Sequence, residues 1–196
     1  MRCKLTNTLL CGVGGQGTVL ASRIIALSGM EAGFKVRTAE TIGMSQRGGC
    51  VVSHVRVSHE EIASSLIPKG KADVIIAFEP AEAVRCIDYL KKGGTVVVNK
   101  KAVRPVTASL KGSDYDGSEM LDYLRENVKD LIIIDGEEIC AKCGSSKVLN
   151  IALLAGAAKS GKLGIDIPSL KGAIKKRVPE KFHEMNMKAV DAVVGG

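Results

Sequence analysis

An apolar run that breaks into closely spaced glycines and then resumes with helical periodicity leaves a chain few ways to fold. Between Thr8 and Gly33, Leu9, Leu10 and Val13 run into Gly12, Gly14, Gly15 and Gly17, after which Leu20, Ile24 and Leu27 recur at i, i+4 and i+7. That pattern reads as strand, glycine turn, helix. Gly12, Gly14 and Gly17 have the G-x-G-x-x-G spacing, which permits a tight turn, close approach of a ligand to the backbone and close packing of helix on strand. Gly12, Gly14, Gly15 and Gly17 are therefore a candidate phosphate loop, because free amides and the positive end of a helix dipole favour an anion. The same glycines also suit a turn that only packs the first helix tightly onto a sheet.

A dinucleotide site makes a further demand. It places an acid at the end of the second strand, ~20 residues beyond the glycines, to hold the ribose hydroxyls. The second strand, Phe34 to Ala39, carries Arg37 there, and Glu40 comes three residues late. The glycine turn thus has the form of a nucleotide loop without its usual partner.

The segment Thr41 to Ser58 is the least ordinary. Ser45, Gln46, Arg47, Gly48 and Gly49 form a polar, glycine-bearing loop, and an arginine beside free amides suits a carboxylate or phosphate as well as a solvated turn. The alternation that follows predicts a half-buried strand, with Val51, Val55 and Val57 inward and His54 and Arg56 on the other face. His54 is read as a strand-surface histidine rather than a base.

The nearly all-apolar run Ala72 to Phe78 predicts a strand buried on both faces. Glu79-Pro80 then opens a helix, with Ala83, Val84, Ile87 and Leu90 at helical spacing and Gly93-Gly94 as its end. Thr95 to Asn99 is the next strand, and the unit is βαβ, so its strands are parallel. A short extended piece is expected at Val106 to Leu110, a helix at Ser118 to Val128, a strand at Leu131 to Ile134, and a helix after Asp135-Gly136. Lys147 to Val194 reads as three helices separated near Gly161, Gly164 and Pro179. The expected fold is α/β and three-layered, with a mainly parallel sheet, a Rossmann-like first βαβ unit and a helical C-terminal subregion. Residues 1–196 are expected to form one domain, since no linker or repeat divides them.

Composition narrows the chemistry. The six cysteines lack the framework spacing of a small secreted domain, and the only CxxC pair, Cys140 and Cys143, has no second pair to complete a zinc or iron-sulfur site. No metal site is expected. A redox role for that CxxC is weighed against ordinary buried thiols, which its late position in a helix favours. The net charge of +7 lacks the aromatic interleaving of a nucleic-acid surface, so a solvated helix face or an acidic protein partner is the expected reason for it. No membrane span and no secretory signal are seen, and a cytoplasmic location is expected.

GVGGQG at Gly12 to Gly17, GMSQRGGCVVSHVR at Gly43 to Arg56, ADVIIAFEPAEAVR at Ala72 to Arg85 and EMNMKAV at Glu184 to Val190 occur in an order that resembles the gamma-type domain of the 2-oxoacid:ferredoxin oxidoreductase family, with motifs nearest to its indolepyruvate-using members. The resemblance spans nearly the whole chain. It implies a subunit without cofactors, working beside a large subunit that holds thiamine diphosphate, Mg and 4Fe-4S clusters. The implied reaction is oxidative decarboxylation of an arylpyruvate with coenzyme A, giving an aryl-acetyl-CoA and reduced ferredoxin in a hetero-oligomer. Pyruvate, 2-oxoglutarate and branched-chain 2-oxoacids remain alternative substrates, and a free-standing nucleotide-binding module remains an alternative function. The resemblance implies no catalytic residue in this chain, a structural turn at Gly12 to Gly17, and a partner-interface loop at Ser45, Gln46, Arg47, Gly48 and Gly49.

Overall fold

The computed structural model describes residues 5–42, 49–103 and 115–195. Among them six strands form one sheet in the order β2-β3-β1-β4-β5-β6. These are β1 (Thr6–Val13), β2 (Lys35–Ile42), β3 (Cys50–Ser58), β4 (Ala72–Ala77), β5 (Leu90–Asn99) and β6 (Asp130–Ile134). β1, β4, β5 and β6 pair in parallel, whereas β3 runs antiparallel to both of its neighbours. Five strands therefore point one way, as the sequence predicts. β1 and β2 also share that direction but do not touch, because β3 lies between them.

Helices cover both faces. On the first face lie α1 (Thr18–Glu31), α5 (Leu149–Lys159), α6 (Ile167–Arg177) and α7 (His183–Val194). They pack with Leu10, Val55, Val57, Val74, Ile76 and Val97 from the sheet. Alternate residues of the same strands, Leu9, Cys11, Ile75, Ala77, Val96 and Val98, point to the second face, where α2 (Pro80–Arg85) and α3 (Ser118–Asn127) cover them. The short α4 (Gly136–Cys143) follows β6 and packs with α5 and α7. The central strands read as continuous apolar runs because both of their faces are covered. α5 is apolar all round for a similar reason, lying between the sheet and α7, with Asn150 to Ala158 all buried.

The helix after Pro80 is shorter than its periodicity predicts. It stops at Arg85, a 3-10 turn occupies Ile87–Tyr89, and Leu90 already belongs to β5. Gly93 and Gly94 do not end a helix. They lie within β5, where Ala72 faces Leu90 but Val74 faces Thr95, so the strand bulges over the residues between. A Cβ on Gly94 would lie 3.1 Å from the Ala72 carbonyl oxygen, which is why this bulge needs glycine. The expected extended piece at Val106 to Leu110 lies outside the described residues.

His54 differs from its expected position. It is only 4% exposed, because the segment after β3 folds back over this part of the second face. The backbone N–H of Ile67 donates to His54 Nδ1 at 3.2 Å, and the Tyr89 ring meets the imidazole edge-on. Arg56 holds the same segment by donating to the carbonyls of Ser64 at 2.8 Å and Leu66 at 3.2 Å, while its Nε donates to Asn7 Oδ1. Strand alternation correctly separates the inward valines from His54 and Arg56, but it cannot show that the following residues will cover the other face.

Candidate functional site at the strand reversal

The connections from β1 and β4 leave on opposite faces of the sheet, α1 to the first and α2 to the second. In open α/β sheets the crevice between two such strands, at their carboxyl ends, is where ligands bind. The candidate phosphate loop is at this position. Gly15 and Gly17 have φ of 97° and 86°, left-handed values that glycine adopts without strain, and Gly17 directly precedes α1.

The crevice is occupied by the chain itself. Gln16 Oε1 accepts the backbone N–H of Val13 at 2.8 Å, and Gln16 Nε2 donates to the Phe78 carbonyl at 3.1 Å, which ties the end of β1 to the end of β4. A Cβ on Gly12 would lie 2.7 Å from Gln16 Oε1 and 2.8 Å from Phe78 Cβ. The first glycine of the motif is therefore required by the folded-back glutamine. The Gly14 N–H donates to the Gly49 carbonyl at 2.9 Å, so the second glycine-bearing loop meets the first. Of the candidate interface loop, Gly49 is placed here, and Ser45, Gln46, Arg47 and Gly48 lie outside the described residues. Glu40 accepts from Ser22 Oγ on α1 at 3.3 Å, so it turns toward the helix face.

What remains open at the turn is the start of α1. No side chain caps it, and no acid lies in its first turn. The Thr18 hydroxyl there is buried and has no partner among the described residues. This orphaned group gives no signal in the sequence.

Beyond β4 on the second face is a buried acidic patch. Glu79 caps α2 by accepting from the Glu82 N–H at 3.0 Å, and it also accepts the Tyr115 hydroxyl at 2.6 Å. Burial first, and that hydrogen bond second, push the Tyr115 phenol up from its ordinary value. Glu82 is 4% exposed, with Arg85 at 3.3 Å from one oxygen and no partner for the other among the described residues. Burial, followed by its hydrogen bond to Glu82, pushes the Cys50 thiol up to about 12. Cys11 is held well above the ordinary thiol value, first by its hydrogen bond to Cys86 and then by burial. Burial pushes the His54 imidazole down. These shifts keep the Cys11 and Cys50 thiols protonated and the imidazole neutral, while the hydrogen bond with Cys11 lowers the Cys86 thiol.

Cys140 and Cys143 face the first-face core from α4, and burial raises Cys140. A redox cysteine needs the opposite shift. Among the described residues no group of three or more His, Cys, Asp or Glu side chains is placed to hold a metal ion, and no helix is long and apolar enough to cross a membrane.

Residues 7–195 match the family model described as pyruvate ferredoxin/flavodoxin oxidoreductase. The chain is 36% identical to indolepyruvate oxidoreductase subunit IorB of Pyrococcus horikoshii, over 94% of this chain and 92% of that one. Its fold is similar to the gamma subunit of a keto/oxoacid ferredoxin oxidoreductase from Geobacter sulfurreducens, with a TM-score of 0.69, 21% identity, and coverage of 97% and 96% of the two chains. It is also similar to 2-oxoglutarate:ferredoxin oxidoreductase from Magnetococcus marinus, with a TM-score of 0.73 and 20% identity, covering 98% of this chain and 31% of that one.

Proposed function

Since the chain belongs to the pyruvate ferredoxin/flavodoxin oxidoreductase family, we propose that it is the small subunit of a 2-oxoacid:ferredoxin oxidoreductase acting on indolepyruvate or a related arylpyruvate. Residues 1–196 form one gamma-type domain in this reading, and the assembled enzyme is a cytoplasmic hetero-oligomer. A large subunit carries thiamine diphosphate, Mg and iron-sulfur clusters, coenzyme A is a co-substrate, and ferredoxin accepts the electrons. The side chains described in this chain do not fit a metal cluster, so the electron-carrying groups are assigned to the companion. The substrate is assigned from the extent of identity to the indolepyruvate subunit.

The observation that carries the division of labour is the closed turn. Gln16 and Gly49 satisfy Val13, Gly14 and Phe78 internally, so the turn with nucleotide-loop form works as a rigid corner between β1, β4 and the neighbouring loop. Such a corner gives a preorganised surface for a second polypeptide, with Gly49 beside it. Reconstitution tests this: the large subunit with this chain should reduce a viologen dye with indolepyruvate and coenzyme A, and neither polypeptide alone should. Full activity of the large subunit by itself would overturn the proposal.

The unpartnered Thr18 hydroxyl at the uncapped start of α1 favours a second reading, in which the turn also holds a phosphate-bearing ligand. Calorimetry of the chain with NAD, NADP and coenzyme A tests it. Binding near 1 μM, about 8 kcal/mol, is the expected result under that reading, and no heat with any of the three eliminates it.

A further inference from the structure

A separate cleft of about 210 Å³ opens beside the glycine corner, between α1, the start of α5 and the connection from α6 to α7. Its walls are apolar, made by Leu20, Ile151, Val178, Pro179, Phe182 and Met185, and no carboxylate lines it. Lys147 and Arg177 stand at its rim, and neither has an ion-pair partner among the described residues. Elsewhere on α6, Lys171 and Lys176 are paired with Asp191 and Glu31.

A third donor lies inside. Asn150 is 5% exposed and lines the cleft, with its Oδ1 taken by the N–H of Ile151 at 2.9 Å. Its Nδ2 has no acceptor among the described residues. That nitrogen stays reachable from the cleft and is free to donate to an acceptor oxygen there. Asn150 also sits against Gly17, since a Cβ there would lie 3.1 Å from Asn150 Nδ2, so the field of the uncapped α1 start adds to the two cations.

We propose that this cleft is a binding site for a small amphipathic carboxylate, with an apolar body against Ile151, Phe182 and Met185 and its oxygens on Asn150 Nδ2, Lys147 and Arg177. The volume lies below the ~300–1,000 Å³ of drug-sized sites and suits a one-ring or branched aliphatic acid. Three donors with no opposing acid select the anion, and the apolar walls select against a bare one. The inference stands on this cleft alone and does not depend on which reaction the subunit serves.

Calorimetry on the full chain tests it with phenylacetate, 4-methylpentanoate, acetate and benzyl alcohol. The two amphipathic acids should bind in the submillimolar range, with acetate, which lacks the body, and benzyl alcohol, which lacks the charge, each at least about tenfold weaker. Lys147→Gln and Arg177→Gln lie on the surface and leave folding intact. Each should weaken phenylacetate binding several-fold and leave benzyl alcohol unchanged, while Lys162→Gln, away from the cleft, should change neither. Absence of binding by either acid up to about 10 mM, equal affinity for acetate or benzyl alcohol, or indifference to both rim substitutions would overturn the proposal.

Discussion

The two faces of the sheet are built from the same strands and differ in almost everything else. On the first, four helices enclose a continuous aliphatic core around Leu153 and Leu154, with α5 buried on all sides. The second is covered by two short helices and the segment held by His54 and Arg56, and it contains Glu79, Glu82, His54 and the thiols of Cys11 and Cys86. Apolar burial dominates folding energetics, while buried polar groups cost free energy unless each is paired. The contrast teaches that stability comes mainly from the first face, and that the second uses stability to hold polar groups in fixed, mostly satisfied arrangements. The glycine corner is the seam between them.

The largest expected effect breaks or supports this contrast directly. Leu154→Ala, at a fully buried position of α5, should cost about 3–5 kcal/mol in urea unfolding, while Leu121→Ala on α3 should cost about 2 kcal/mol. Equal losses would remove the distinction between the faces. Next is the seam: Gly12→Ala should cost about 1–3 kcal/mol, because the new methyl meets Phe78 and Gln16. Gln16→Ala should cost about 1–2 kcal/mol by leaving the Val13 N–H unpaired and the Phe78 carbonyl with only the Asn99 Nδ2 donor at 3.3 Å. A neutral Gln16→Ala would mean that water replaces the side chain and that the crevice is open to ligands.

Smaller effects sharpen the picture of the second face. With its thiol raised to about 12, Cys50 should react with iodoacetamide at pH 8 some 10–100-fold more slowly in the folded chain than in urea, read by peptide mass spectrometry. Equal rates would show that the patch opens to solvent. The smallest effect concerns acid. The folded imidazole of His54 is held below its unfolded value by burial, so the unfolded state binds the extra proton. Stability should therefore be full above about pH 6.5 and decline as pH falls below that value, and His54→Gln should flatten this part of the urea-midpoint profile.

Much of this was legible in the sequence, and the parts that were not share a physical cause. Hydrophobic periodicity located β1, α1, β4 and the C-terminal helices, since each depends on neighbours within a few residues. The β5 bulge was misread because Gly93 and Gly94 favour a helix end and a strand irregularity equally well by local chemistry. The burial of His54 depends on Ile67, and the closure of the glycine turn depends on Phe78, distant in sequence in both cases. Gln16 left a faint local trace, as the one polar side chain within the turn. The pairing of Asn150 with Gly17, and the unpartnered Thr18 hydroxyl, left none.

The insertion of β3 between β1 and β2 bears on how the chain is made. When residues up to Ile42 have left the ribosome, α1 can already cover β1, but β2 lacks its hydrogen-bonding neighbour, because its only partner among the described residues spans Cys50 to Ser58. The amino-terminal unit therefore cannot mature in the order in which it is synthesised. Its edge strand must wait, unpaired, for a later segment to wedge in beside β1, and that interval is when the nascent polypeptide is most exposed to mispairing with other strands.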